Sequence, residues 1–139
     1  MGYTCGPNLT DEDRENLDVL FNAVGIAVEV PEEYIDAITG ISGSSPAFMY
    51  MIIDAMADAG VMAGLRRDDS IELAAQSMLG AAKMVLETGK HPDQLRDEVC
   101  SPGGTTIVGV NTLEQYGIRG AMIAAITDTI EKSKELSKQ

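Results

Sequence analysis

The stretch Val99-Cys100-Ser101-Pro102-Gly103-Gly104-Thr105-Thr106-Ile107 gathers hydroxyls, two adjacent glycines and free backbone N–H groups at the point where a helix is expected to begin. Adjacent glycines let a backbone approach a ligand closely, and Pro102 removes one donor while fixing its own φ. The first turn of a helix starting near Gly104 then aims unpaired N–H groups and the positive end of its dipole into the loop. Such an arrangement suits the binding of an anion. A helix start capped by Ser or Thr after a glycine-rich turn has the same appearance, so the residues alone leave both readings open.

Other reactive side chains are sparser. Asp54 and Asp58 fall at i, i+4 on one helix, a spacing that could offer paired carboxylates to a metal, but no second pair or histidine completes the set. A solvated stripe or a bond to a neighbouring basic group is expected there, and no metal site. His91, the single histidine, precedes Pro92, which favours a loop or capping role. Cys100 borders the loop without a visible histidine partner and is read as packing. With Cys5 it forms neither a disulfide framework nor a metal-ligand spacing, which points to a reduced, cytoplasmic setting.

At 139 residues the chain is sized for one domain with enough mass to bury a core. Its formal charge of -12 argues against nucleic acid and anionic membrane surfaces as partners, since both require a basic face. An anionic substrate would therefore depend on local donors such as those at Gly104. No secretory or transit segment is expected, because Met1-Gly2-Tyr3-Thr4 leads into an acidic run rather than an apolar one. The apolar stretch Phe48 to Val61 is interrupted by Asp54 and Asp58 and falls short of the roughly 18 to 20 residues of a membrane span, so it is expected as a buried helix of a soluble protein.

The elements that must position these residues are mainly helical. Thr10-Asp11-Glu12-Asp13 opens a helix with a cap and first-turn acids, Leu17, Leu20, Phe21 and Val24 share its apolar face, and Gly25 ends it. Ile26 to Val30 reads as a strand stopped by Pro31, and Tyr3-Thr4-Cys5 as another. A short helix runs from Glu32 to Ile38, and Ser45 with Pro46 opens a long one, as a capped start, that Gly64 closes. Asp68 or Asp69 opens the next, which Gly89 stops; His91-Pro92-Asp93 starts a short helix to about Glu98. The last two run from about Gly104 to Tyr116 and from about Arg119 to Leu136, the final one apolar at Met122, Ile123, Ile126 and Ile130. Alanines and glycines crowd these helices, allowing axes to approach toward the lower end of the roughly 8 to 10 Å range. Thin, methionine-rich apolar faces of this kind find fuller burial against a second copy, so an intertwined homodimer is expected, with a compact monomeric bundle as the alternative.

Three blocks in order carry a resemblance: Thr39-Gly40-Ile41-Ser42-Gly43-Ser44-Ser45-Pro46-Ala47-Phe48, Ala81-Ala82-Lys83-Met84-Val85-Leu86, and Leu95 to Glu114 around the glycine loop. Together they resemble the pyrroline-5-carboxylate reductases, the enzymes that complete proline synthesis. The resemblance implies a mainly α fold: a multi-helix C-terminal dimerisation domain like that of 6-phosphogluconate dehydrogenase over residues 32–139. A short β-α-β tail of a Rossmann-type dinucleotide-binding domain would precede it over residues 1–31. It also implies hydride transfer from NADPH or NADH to the imine carbon of Δ1-pyrroline-5-carboxylate, giving L-proline, in a homodimer or higher homo-oligomer. Carried over by position, Ser101 and the backbone of Gly103, Gly104 and Thr105 bind the substrate carboxylate, Thr106 assists proton transfer at the imine nitrogen, and Ser42 and Ser44 lie beside the nicotinamide. No strand is followed by Gly-x-Gly-x-x-Gly, and Gly40-Ile41-Ser42-Gly43 has the wrong spacing and setting for a pyrophosphate cradle. The main cofactor domain is therefore expected to be absent from these residues and the isolated chain to be inactive. The rival reading is a non-enzymatic oligomerisation module or a truncated protein without activity.

Overall fold

The computed structural model of the chain describes residues 1–138, the side chain of Val24 excepted. It divides into two compact units, one made of Met1–Pro46 with the segment from Ile123 onward, the other of Ala47–Met122.

In the first unit, strand β1 (Gly2–Tyr3) pairs in parallel with β2 (Val28–Glu29), Gly2 opposite Val28 and Tyr3 opposite Glu29. Parallel neighbours need a crossover, and helix α1 (Asp11–Val24) supplies it. Its start is a complete capping box: Thr10 Oγ1 accepts from the Asp13 N–H at 3.2 Å, and the Asp13 carboxylate accepts from the Thr10 N–H at 3.0 Å. The Tyr3 ring lies 4.8 Å from that of Phe21, the Tyr3 hydroxyl donates to the Asp18 carboxylate at 3.1 Å, and Arg14 reaches Glu29 at 3.1 Å, so side-chain contacts tie α1 to both strands. Of the expected apolar face, Leu17 and Phe21 are half-buried while Leu20 is exposed, and the side chain of Val24 lies outside the description. Too little of the two-stranded sheet faces α1 to cover Leu20 as well.

After Pro31 a single 3-10 turn (Glu32–Tyr34) leads into α2 (Ile35–Ile38), a π-helical segment (Thr39–Ser44) and then α3 (Ser45–Met62). A capped helix start at Ser45 was the expectation, and the structure corrects it. The backbone stays helical through Ser45, whose hydroxyl donates back to the Ile41 carbonyl while that of Ser42 donates to Ile38, so these serines bond one turn behind them rather than capping the turn ahead. Downstream in the same unit, Ser133 donates to the Asp36 carboxylate, tying the late part of α7 (Ile118–Leu136) to α2. Ile126 and Ile130 of α7 are half-buried there, whereas Ile123 is exposed.

The second unit contains most of α3, then α4 (Arg67–Thr88), α5 (Pro92–Val99), α6 (Thr105–Gln115) and the start of α7. Helix α4 begins one residue before the aspartates expected to open it; Arg66 is its N-cap without a side-chain bond, and Asp68 and Asp69 occupy the first turn, where the dipole favours them. Helices α3 and α4 approach closely at Gly60, where a Cβ would sit 2.5 Å from Ser70 Oγ and 3.0 Å from Ser70 Cβ.

The expectation of a buried core is not met within one chain. Among the described residues, only Ala57 (0% exposed) and Ala74 (5%) are buried apolar side chains, and both are alanines. Helix α3, expected to be buried, leaves Tyr50 70% and Met51 72% exposed. Helices packed through alanine, glycine and serine approach closely but bury little area at the contact, and their larger apolar residues point elsewhere. Among the described residues, no helix is long and apolar enough to cross a membrane.

Candidate functional site

Helix α5 stops where its sequence suggests. The N–H of Cys100 donates to the carbonyls of Arg96 and Asp97 at 3.1 and 3.2 Å, and the chain turns out at Ser101. Ser101-Pro102-Gly103-Gly104 then makes a tight turn closed by Gly104 N–H to Ser101 carbonyl at 3.0 Å. With Pro second and Gly103 third at φ +69°, this is the type II pattern, in which the third residue requires the left-handed region that glycine occupies without strain. Gly104 is the N-cap of α6 and places no side chain over the helix end. A Cβ there would collide with Ser101 Oγ and crowd the Ser101 carbonyl at 3.1 Å, so the second glycine is what lets the serine fold against the helix start.

The first-turn N–H groups of Thr105, Thr106 and Ile107 have no carbonyl within the helix and no side-chain cap. Among the described residues, the hydroxyls of Ser101, Thr105 and Thr106 have no hydrogen-bond partner, although their neighbour Thr112 bonds back to Val108 at 3.1 Å. Ser101, Pro102 and Gly103 are exposed and Gly104 is half-buried. Unpaired hydroxyls and N–H groups therefore lie at the positive end of an eleven-residue helix, an arrangement suited to a carboxylate or another small anion. The reading of Ser101 as a helix cap is not supported, because Gly104 holds that position and the serine bonds no helical N–H.

A charged network that the residue patterns did not single out ties the start of α5 to the far end of α6 and the start of α7. Asp93 Oδ1 receives Arg96 Nη1 at 2.9 Å and Arg119 Nη2 at 3.2 Å; Arg119 Nε reaches Glu114 at 2.6 Å, and Arg96 Nη2 reaches Asp97 at 2.8 Å. The Arg119 guanidinium, followed by Arg96, holds the Asp93 carboxyl below the usual carboxylate range. The i, i+3 spacing of Asp93 and Arg96 was the available local signal; the link to Arg119, twenty-six residues away, had none.

The other singled-out residues have plain roles. His91 caps α5, its Nδ1 accepting from the Asp93 N–H at 3.2 Å. Asp54 and Asp58 both face Arg67, at 3.8 and 2.6 Å, the basic neighbour anticipated for them. Cys100 is a half-buried free thiol, and the described residues contain no group of three His, Cys, Asp or Glu side chains placed for a metal. Ser42 and Ser44 belong to the other unit, in the π-helical segment. The Ser42 hydroxyl donates to the Ile38 carbonyl at 3.0 Å, whereas that of Ser44 has no partner among the described residues. Ser44 borders an open hollow of about 400 Å³ with Thr39, Thr129 and Lys132.

Helices with exposed apolar faces, joined by a tight Pro-Gly turn with unpaired donors, define a mainly helical domain. The family model described as pyrroline-5-carboxylate reductase dimerisation matches residues 32–136, and the chain belongs to that family. Curated relatives include the pyrroline-5-carboxylate reductase of Methanosarcina acetivorans, 52% identical over 138 residues, or 99% of this chain and 51% of the relative. That of Glycine max is 52% identical over 134 residues, or 96% and 49%. The chain spans about half the length of the curated relatives it matches. Among solved structures, a pyrroline-5-carboxylate reductase from Coxiella burnetii superposes with a TM-score of 0.91 at 34% identity, over 97% of this chain and 50% of that one. The Plasmodium falciparum pyrroline carboxylate reductase with NADP bound gives 0.86 at 35% identity, over 96% and 55%.

Proposed function

We propose that the chain is the assembly and substrate-holding part of a pyrroline-5-carboxylate reductase, which transfers hydride from NADPH or NADH to the imine carbon of Δ1-pyrroline-5-carboxylate to give L-proline. The observation that carries this reading is the Pro-Gly turn before α6, which lies inside the family match and leaves three hydroxyls and the first-turn donors unpaired. Ser101 Oγ and the N–H groups of Gly103 and Thr105 hold the substrate carboxylate. The Gly104 N–H is engaged within the turn, so Gly104 contributes by leaving room for Ser101. The Thr106 hydroxyl, on the first turn of α6, holds the proton at the imine nitrogen. A protonated imine is already electrophilic, so neutralising the carboxylate and fixing the ring are the main demands on these residues.

The nicotinamide, when bound, supplies the hydride. Ser44 fits a place beside it, with a free hydroxyl on an open hollow; Ser42, its donor committed to Ile38, can only accept. The NADP of the Plasmodium falciparum relative supports a nicotinamide dinucleotide as cofactor. Residues 1–31 fit the tail of the dinucleotide-binding domain, as a β-α-β ahead of the family match at residue 32. Self-assembly as a homodimer is supported by the family description and by the exposed apolar residues of α3, α6 and α7. The free thiols Cys5 and Cys100 suit a reducing compartment such as the cytoplasm.

The test joins this chain to the segment of its Methanosarcina acetivorans relative that lies outside the match. Ser101→Ala should raise KM for pyrroline-5-carboxylate with little change in kcat, and Thr106→Ala should lower kcat more than it raises KM. Parental kinetics in both variants would refute the assignment. The 139-residue polypeptide alone should show only background turnover with either cofactor.

A further inference from the structure

We propose that Asp93 is a positioning residue for the carboxylate-binding turn, acting through Arg119 and Arg96; the proposal rests on the function proposed for that turn. Helix α6 has no buried residue, so packing within its own unit constrains its direction weakly. Its N-terminal end is joined to α5 by the Ser101–Gly104 turn. At its C-terminal end, Glu114 binds Arg119 at 2.6 Å across the corner that begins α7, and Arg119 binds Asp93 on the first turn of α5 at 3.2 Å. The chain of contacts thus closes a ring: α5, the turn, α6, Arg119 and back to α5. Opening the ring at Asp93 removes the side-chain tie between α5 and the far end of α6, and a small tilt of α6 about the Pro-Gly turn moves the first-turn N–H groups relative to Ser101. Arg96 holds the same Asp93 oxygen at 2.9 Å and Asp97 at 2.8 Å, which fixes the carboxylate on the surface of α5 for Arg119 to meet. Arg119 can serve Glu114 through Nε and Asp93 through Nη2 because its donors are set in a rigid fork, a geometry a lysine cannot reproduce. The groups are partly exposed, 46% for Asp93 and 56% for Arg119, so the tie is open to salt.

The experiment measures KM and kcat for pyrroline-5-carboxylate in the chimera with the Methanosarcina acetivorans segment. It compares the parental protein, Asp93→Asn, Asp93→Glu, Arg119→Lys and Ser101→Ala at low and high ionic strength. Asp93→Asn should raise KM about fivefold, the upper range for an exposed ion pair, with kcat nearly unchanged. Asp93→Glu should restore most of the affinity, and Arg119→Lys, which keeps the charge but loses the fork, should move KM in the same direction as Asp93→Asn. Added salt should raise the parental KM more steeply than that of Asp93→Asn. A purely structural role would lower the active fraction, and so apparent kcat, at constant KM; that result overturns the proposal. Unchanged KM in Asp93→Asn beside a raised KM in Ser101→Ala overturns the positioning role and leaves the turn's function standing. Unchanged KM in Ser101→Ala overturns both.

Discussion

Gly104→Ala separates the turn's binding role from its structural one, because the structure assigns the two effects different sizes. The backbone tolerates the change: Gly104 sits at φ −76° and ψ 169°, an extended conformation open to any residue. Alanine is a poorer N-cap than glycine, which costs a few tenths of a kcal/mol to about 1 kcal/mol, while loss of glycine freedom in the unfolded chain returns about 0.4 to 1 kcal/mol. Net stability should therefore fall by about 1 kcal/mol, the 3.1 Å approach of the new Cβ to the Ser101 carbonyl included. The new Cβ, however, would collide with Ser101 Oγ. The hydroxyl is the movable partner, so it swings out of the site, removing a charge-assisted hydrogen bond worth about 1.5 to 3 kcal/mol, or roughly ten- to hundredfold in substrate affinity. Steady-state kinetics of the chimera beside thermal unfolding would read both quantities. The expected result is a melting temperature within a few degrees of the parent and a KM raised at least about tenfold. An unchanged KM, or a loss of activity that tracks a loss of folded protein, would refute the reasoning.

Other substitutions probe assembly, helix packing and the charge network. Ala124 is exposed in the single chain, so Ala124→Phe bears chiefly on an assembly; light scattering should show a dimer for the parent and a smaller species or aggregate for the variant. Gly60→Ala should lower stability by about 1 to 3 kcal/mol, read from chemical denaturation, because its Cβ meets buried Ser70, whose hydroxyl is held by the Arg66 carbonyl at 2.9 Å. The folded pKa of Asp93 lies below its unfolded value, so its contribution is complete above the ordinary carboxylate pKa of about 4 and is lost as pH falls through the folded value. The melting temperatures of the parent and Asp93→Asn should accordingly differ at neutral pH and converge in acid; a gap that persists into strong acid would contradict the ion-pair account.

Local punctuation was readable from the residues because its physics is local. Thr10 caps α1 as its position suggests, with Asp13 completing a capping box, Gly89 ends α4 at φ +63°, and His91 before Pro92 caps α5. The glycine pair was recognisable too, since Pro-Gly in sequence specifies the turn that Gly103 adopts. Ser42 to Ser45 misled because a run of serine and glycine before proline looks like a loop, yet serine hydroxyls can also bond one turn back and stay inside a helix. Burial was misjudged for a different reason. Helical periodicity shows that a face is apolar without showing what covers it, and Tyr50 and Met51 are apolar residues that one chain leaves open. Arg119 carries no local signal in the sequence because its partner Asp93 is close only in the folded unit.

The most direct test of the central claim is a crystal structure of the chimera with L-proline bound. The proline carboxylate should lie within hydrogen-bond distance of Ser101 Oγ and the Gly103 and Thr105 N–H groups, with the Thr106 hydroxyl on the proline nitrogen. A carboxylate held elsewhere, with the turn before α6 touching only solvent or protein, would contradict it.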